Sequence, residues 1–263
     1  MSRMPTAYVP HGGGPWPFVD IGMPRPEYDA LLGYLRELPA ILPERPKALL
    51  VVTAHWEERV ATVSTSPAPP MLYDYYGFPA ASYQVKWPAP GDPALARRVR
   101  DLLDGVSIPS NEDSARGYDH GTFVPMKVAF PAAEVPTVQL SLVAGLDPEL
   151  HLRVGAALAP LRDEGVFIVG SGMSYHNLRK FFDGSGISDS RSFDAWLRDT
   201  LVSPDRDAQL RRWTAAPAAR ASHPREEHLV PLMVAAGAAG GAKARLDFGG
   251  TVFGLAVTGV SFG

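Results

Sequence analysis

The chain predicts an α/β fold, a single domain with a central, mostly parallel sheet flanked by helices and an antiparallel C-terminal strand pair. Three observations carry this. Apolar runs of strand length alternate with stretches of helical periodicity, as in βαβ units. The run at residues 48–53 is continuously apolar, as expected when helices cover both faces of a sheet. Three of the seven histidines follow where such a run gives way to a turn, and open α/β sheets gather ligands at the carboxyl ends of their strands.

The elements follow in order. Ala7-Tyr8-Val9 is a short strand stopped by Pro10 and the triplet Gly12-Gly13-Gly14. Residues 28–38 place Leu31, Leu32, Leu35 and Leu38 on one helical face, ended by Pro39. Ala48-Leu49-Leu50-Val51-Val52-Thr53 is a buried strand, and residues 67–90, punctuated by prolines, are an irregular excursion. Residues 93–103 form a helix on Leu95, Val99, Leu102 and Leu103, and residues 117–125 a loop. Residues 137–142 are a strand, 148–159 a helix, and Val166-Phe167-Ile168-Val169 a strand ending at Gly170-Ser171-Gly172. Residues 192–201 and 207–213 are surface helices, and residues 226–239 a last helix stopped by Gly240-Gly241. Residues 244–248 and 252–262 alternate as an antiparallel edge pair. With no repeat, low-complexity tract or linker, one domain over residues 1–263 is expected.

Composition narrows the function. A chain of 263 residues buries a core without disulfides or structural metal. It has no cysteine, which excludes disulfides, thiolate zinc sites and thiol catalysis, so any metal is held by histidines and carboxylates. A net charge of −3 without a long basic run argues against nucleic acid or an acidic membrane as partner. No window offers the roughly 20 apolar residues of a membrane span. No signal peptide is visible before the glycine-rich turn, so a soluble, cytoplasmic protein is expected.

The chemistry falls on histidines. His11 and His55 end strands, and His176 follows Gly170-Ser171-Gly172 through another turn. His228 sits in Arg225-Glu226-Glu227-His228, read as the first turn of the last helix. Imidazoles delivered by rigid strand ends suit a divalent metal. A histidine that merely caps a turn is the bland reading of each. His120, in Gly117-Tyr118-Asp119-His120-Gly121, suits an active-site rim or a solvated turn, and Asp119 could orient a neighbouring histidine. His151, in the first turn of a helix, reads as structural, and His223 stays unassigned. The Gly-x-Ser-x-Gly spacing of a serine nucleophile is absent around Ser171, and neither glycine cluster has a phosphate-loop ending.

The ordered set Pro10-His11-Gly12-Gly13, Thr53-Ala54-His55-Trp56, Tyr118-Asp119-His120-Gly121-Thr122-Phe123, Ser174-Tyr175-His176-Asn177 and Glu227-His228-Leu229-Val230-Pro231-Leu232 resembles the class III extradiol ring-cleavage dioxygenases. These include the protocatechuate 4,5-dioxygenase catalytic subunit, and the 4,5-DOPA extradiol dioxygenase branch is most similar. Gly12-Gly13-Gly14-Pro15 departs slightly from the branch's usual His-Gly-Ser-Pro. The resemblance implies one metal on His11, His55 and His228, with Glu227 as the alternative third ligand. It implies His176 as the acid/base and His120 lining the substrate pocket, with Tyr118, Trp16 or Tyr73 holding the ring. The cofactor implied is Fe(II), with Zn(II) plausible as purified. The substrates implied are a catechol and dioxygen, and the product a semialdehyde. The chain would act as a monomer or homodimer. Two other functions fit the same residues: a zinc hydrolase with Glu227 or His176 as base, and a non-enzymatic Memo-like binding protein.

Overall fold

The apolar run at residues 48–53 lies inside one eight-stranded sheet, described for residues 2–263 by a computed structural model; Met1, where the expected domain begins, lies outside them. The elements are β1 (Thr6–Pro10), α1 (Arg25–Glu37), β2 (Ala48–Glu58), β3 (Ala61–Ser64), α2 (Pro93–Asp104), β4 (Ser110–Asp113), α3 (His120–Ala129) and β5 (Thr137–Val143). They continue with α4 (Pro148–Leu158), β6 (Val166–Gly172), α5 (Ile187–Val202), α6 (Arg206–Arg211), α7 (Ala219–Ser222), α8 (Val230–Ala239), β7 (Ala244–Val252) and β8 (Leu255–Phe262).

The strand order is β4-β3-β5-β2-β6-β1-β8-β7. The four central strands, β5, β2, β6 and β1, are parallel, and β8 runs antiparallel to both β1 and β7. Successive side chains of β2 part to opposite faces, as strand geometry requires. Leu49 and Val51 join α1 and α3 in one core, while Ala48, Leu50 and Val52 join α2, α4 and α8 in the other. That two-sided burial is why the first half of β2 reads as a continuous apolar run. Among the described residues no helix is long and apolar enough to cross a membrane.

Several expectations change. The C-terminal hairpin is present, but only β7 is an edge, because β8 pairs with β1. β3 and β4 have four residues each and no apolar run long enough to announce them. Residues 117–125 are not all loop: Asp119 caps α3, its carboxylate accepting from the amide of Thr122, and the helix runs through Gly121 and Pro125. The last helix begins at Val230 rather than at residue 226, so His228 lies in the preceding turn. His55 falls within β2, whose pairing with β5 shifts between Val52 and Glu57. Such a bulge re-aims side chains where regular pairing would hold them to one face or the other.

α8 is apolar on every side and wholly buried, the signature of a core helix. It approaches α4 backbone to backbone. A Cβ on Gly155 would lie 2.1 Å from the carbonyl oxygen of Val234, and one on Gly237 would lie 2.1 Å from that of Leu152. Gly155→Ala is therefore expected to lower stability by about 1–3 kcal/mol. Gly33→Ala, on α1 with nothing within 4 Å of the new methyl, should raise it by about 0.5–1 kcal/mol. Urea unfolding of the two variants checks the opposite signs.

Candidate metal and catalytic site

The carboxyl ends of β1, β2 and β6 meet the turn before α8 at a single cluster of imidazoles. His11 follows β1, with its amide donating to the carbonyl of Gly172 at 3.0 Å and its carbonyl accepting from the Trp16 indole at 2.7 Å. Gly12, at φ +78°, leaves no room for a side chain, since a Cβ there would meet the Trp16 ring at 2.2 Å. His228 is seated by its own carbonyl, which accepts from the Tyr8 hydroxyl at 2.7 Å and the Met173 amide at 3.1 Å. A Cβ on Gly172 would lie 2.1 Å from that carbonyl oxygen, and one on Gly170 would lie 2.3 Å from that of Pro231. Gly170-Ser171-Gly172 thus serves close packing of the chain entering α8 against β6.

The rings of His11, His55 and His228 form a near-equilateral triangle, with centroids 4.9, 4.9 and 5.3 Å apart. Nε2 of His55 lies 3.2 Å from Nε2 of His11. Three imidazoles on one ion, with metal–nitrogen distances of about 2.0–2.1 Å, set their centroids roughly 4.5–5.2 Å apart when the bonds meet at 90–109°. The triangle fits that requirement. His120, with centroids 3.9 Å from His55 and 5.5 Å from His11, fits it less well, although its nitrogen lies close enough to theirs to form a candidate donor set. His176 lies stacked on His228 at 3.4 Å, and His176, Glu227 and His228 form a second candidate donor set beside that of His11, His55 and His120.

The other ring nitrogens are tied outward. Nδ1 of His11 lies 3.0 Å from the Ser171 hydroxyl, and Nδ1 of His228 lies 2.9 Å from Oε1 of Glu227. Nδ1 of His55 faces Oδ2 of Asp74 at 3.4 Å. Partners of this kind fix ring orientation and leave Nε2 for an ion. Burial, reinforced by the neighbouring imidazoles, holds His11 and His228 well below the ordinary histidine range and takes His55 down to about 3. The rings are therefore neutral near pH 7, as ligands must be. Glu227, the alternative ligand, spends Oε1 on two rings, since Nδ1 of His176 also lies 3.0 Å from it. Burial would raise the Glu227 carboxyl, but the bond from His176 helps bring it below its ordinary value.

Asp74 is the site residue the sequence reading missed. Its Oδ1 accepts from the backbone amide of His120 at 2.9 Å and lies 2.8 Å from Nδ1 of that ring. Burial opposes ionisation of Asp74, yet the bond and charges of His120, with His55, bring it to about 2. Only its place among Tyr73, Tyr75 and Tyr76 marks it in the sequence. The aromatic excursion packs onto itself and onto α3, Tyr75 lying 5.8 Å from the His120 ring and 5.4 Å from Phe78. Asp119, expected to orient a histidine, instead accepts from the Thr53 hydroxyl at 2.8 Å and from Arg116 at 2.9 Å. Tyr118 and Trp16 do not hold a ring either: the first donates to the Thr137 carbonyl in the core, and the second supports His11. His151 is structural, as expected, joining the start of α4 to the end of β5. His223 is a core residue, with Nε2 2.9 Å from the Ser174 carbonyl and Phe193 and Trp213 edge-on around it.

Residues 5–259 match the sequence profile of a family described as the catalytic LigB subunit of aromatic ring-opening dioxygenase. The chain is 40% identical over 238 residues to a 4,5-DOPA dioxygenase extradiol of Beta vulgaris, covering 89% of this chain and 87% of that one. It is 34% identical to a protein of the same name from Escherichia coli (strain K12), covering 90% and 86%. The crystal structure of an uncharacterized protein from Escherichia coli K12 superposes with a TM-score of 0.81 at 30% identity, covering 99% of this chain and all of the other.

The depressed histidines set the acid sensitivity of the protein stripped of divalent ions. Below pH 6.5 the unfolded chain gains protons that the folded one refuses, so stability falls as pH falls, until each folded value is reached. For His223, which burial lowers to about 4, that window runs from about 6.5 to about 4. Each such group contributes a slope of up to about 1.4 kcal/mol per pH unit. Urea midpoints should therefore drop steeply from about pH 6.5 towards pH 4, and a flat profile would contradict neutral burial of these rings.

Proposed function

The chain belongs to the aromatic ring-opening dioxygenase family and is a ring-cleaving extradiol dioxygenase, and from that premise we propose that it opens a substituted, DOPA-like catechol with dioxygen. Residues 1–263 act as one catalytic domain, with a single Fe(II) held by His11, His55 and His228. The observation that carries the proposal is the triangle of neutral imidazoles, two buried and His55 half-buried, with a fourth imidazole beside it that shares a carboxylate with one corner. Fe(II) held by His11, His55 and His228 would bring a catechol and dioxygen together and let electron density pass between them. Zn(II), higher in the Irving–Williams order, competes for the same nitrogens during purification.

The protein's own groups handle position and protons. With Nδ1 facing Glu227, His176 has Nε2 free to take a catechol hydroxyl proton as general base and to return a proton as the ring opens. The ionised Glu227 steadies the imidazolium that forms in between. His120, anchored by Asp74, offers its remaining nitrogen to the substrate from the opposite side of His55. Both oxygen atoms end in the product. A carbon–carbon bond beside the diol breaks, one carbon becomes an aldehyde and the other a carboxylate, and one proton is released.

Anaerobic reconstitution with Fe(II) followed by oxygen-electrode assays tests the proposal. One dioxygen should be consumed per catechol, with a yellow product; turnover without oxygen would overturn it in favour of hydrolysis. His176→Ala should keep its ion and lose roughly 10²–10⁴-fold in kcat. His11→Ala, His55→Ala and His228→Ala should each lose the ion by elemental analysis, whereas His120→Ala should keep it and raise KM.

A further inference from the structure

α3 opens on two residues that helices disfavour, Gly121 and Pro125, and both are explained by what surrounds them. A Cβ on Gly121 would lie 2.7 Å from the Thr53 hydroxyl oxygen and 2.8 Å from Cδ2 of His55. The bare backbone of the first turn is thus the wall against which the His55 ring rests. Pro125 stands four residues on, where its amide would have bonded the carbonyl of Gly121. Having no N–H, it leaves that carbonyl without its helical partner. The Ser171 hydroxyl, fully buried on β6, donates to it instead.

A carbonyl oxygen only accepts, so the Ser171 hydrogen is committed to Gly121. The Ser171 oxygen, 3.0 Å from Nδ1 of His11, can then only accept from that ring. The proton of neutral His11 therefore sits on Nδ1, and Nε2, facing His55, carries the lone pair. We propose that Ser171 is a positioning residue for the metal site. It fixes the tautomer and orientation of His11, and Pro125 makes this possible by freeing the Gly121 carbonyl to polarise the serine. This rests on the assignment of His11 as a ligand.

Co(II) titration of chelator-treated protein, together with thermal unfolding, tests it. Ser171→Ala should weaken Co(II) binding by about 10- to 100-fold, the usual cost of losing a group that orients a ligand. It should also lower the unfolding temperature, because the Gly121 carbonyl is left buried and unpaired. Adding Pro125→Ala returns an amide to that carbonyl. The double variant should thus regain unfolding temperature while Co(II) binding stays weak, an outcome a purely structural serine would not produce. Long-range ¹H–¹⁵N spectra of the ion-free protein should show His11 protonated on Nδ1, and Ser171→Ala should lose that signature. Unchanged Co(II) affinity in Ser171→Ala, alongside loss in His11→Ala, would overturn the role of Ser171. Undiminished affinity in His11→Ala would instead overturn the ligand assignment beneath it. Failure of Pro125→Ala to restore unfolding temperature would overturn the role of Pro125.

Discussion

The hydroxyl of Tyr8 and the amide of Met173 both donate to the carbonyl of His228, and the site depends on that junction. Tyr8 comes from β1 and Met173 from the end of β6, the two strands that also deliver His11 and lead to His176. One carbonyl therefore sets the chain entering α8 against both. Closeness is possible because Gly170 and Gly172 offer no side chain in that direction. The buried α8 then fixes the junction from behind, its far end held by Arg162 and Arg206, which donate to carbonyls between Ala236 and Ala242. A helix clamped at one end and docked onto strand backbone at the other can present a single imidazole with little freedom to reorient.

The histidines acquire different jobs through what their outer nitrogens touch. His11 meets a hydroxyl, His228 and His176 share one carboxylate oxygen, and His120 and His55 share Asp74 across its two oxygens. Neutral imidazole has one proton to place, so each acceptor on the outer side decides which nitrogen faces inward with a lone pair. The two carboxylates also put negative charge beside the space where a dication and a transient imidazolium would be stabilised. Glu227 meets His228 and His176 through one oxygen, so from there it would serve both a ligand and a proton carrier in the proposed reaction.

Much of this was legible in the sequence, for definite reasons. β1, β2 and β6 are buried on both faces and so contain uninterrupted apolar runs, β5 sets Val138, Leu140 and Leu142 between buried polar residues, and α1 and α2 keep their amphipathic period. The histidines stood out because cysteine is absent and three of them follow such runs. β3 and β4 escaped notice because four residues, half of them polar in β3 and all of them in β4, leave no pattern. α3 was hidden by Gly121 and Pro125, residues that argue against a helix everywhere except where a neighbouring group uses the space or the carbonyl they free. Asp74 was hidden because its partners lie 46 residues away at His120 and in β2 at His55. Long-range pairing of a carboxylate with an imidazole leaves no local trace.

The same burial that makes the cluster a good ligand set makes it a burden on the fold. Burial holds His11, His55 and His228 neutral near pH 7, and nitrogen lone pairs facing one another gain nothing from it. Their cost is carried by elements that are over-determined elsewhere: the four parallel strands, the close α4–α8 contact, and the arginines at the end of α8. An ion that binds only the folded arrangement offsets part of that cost, by an amount set by its concentration relative to its dissociation constant. Site and scaffold are thus coupled in one direction of design. The scaffold is stable enough to hold an unfavourable constellation open, and a metal bound there would also relieve it.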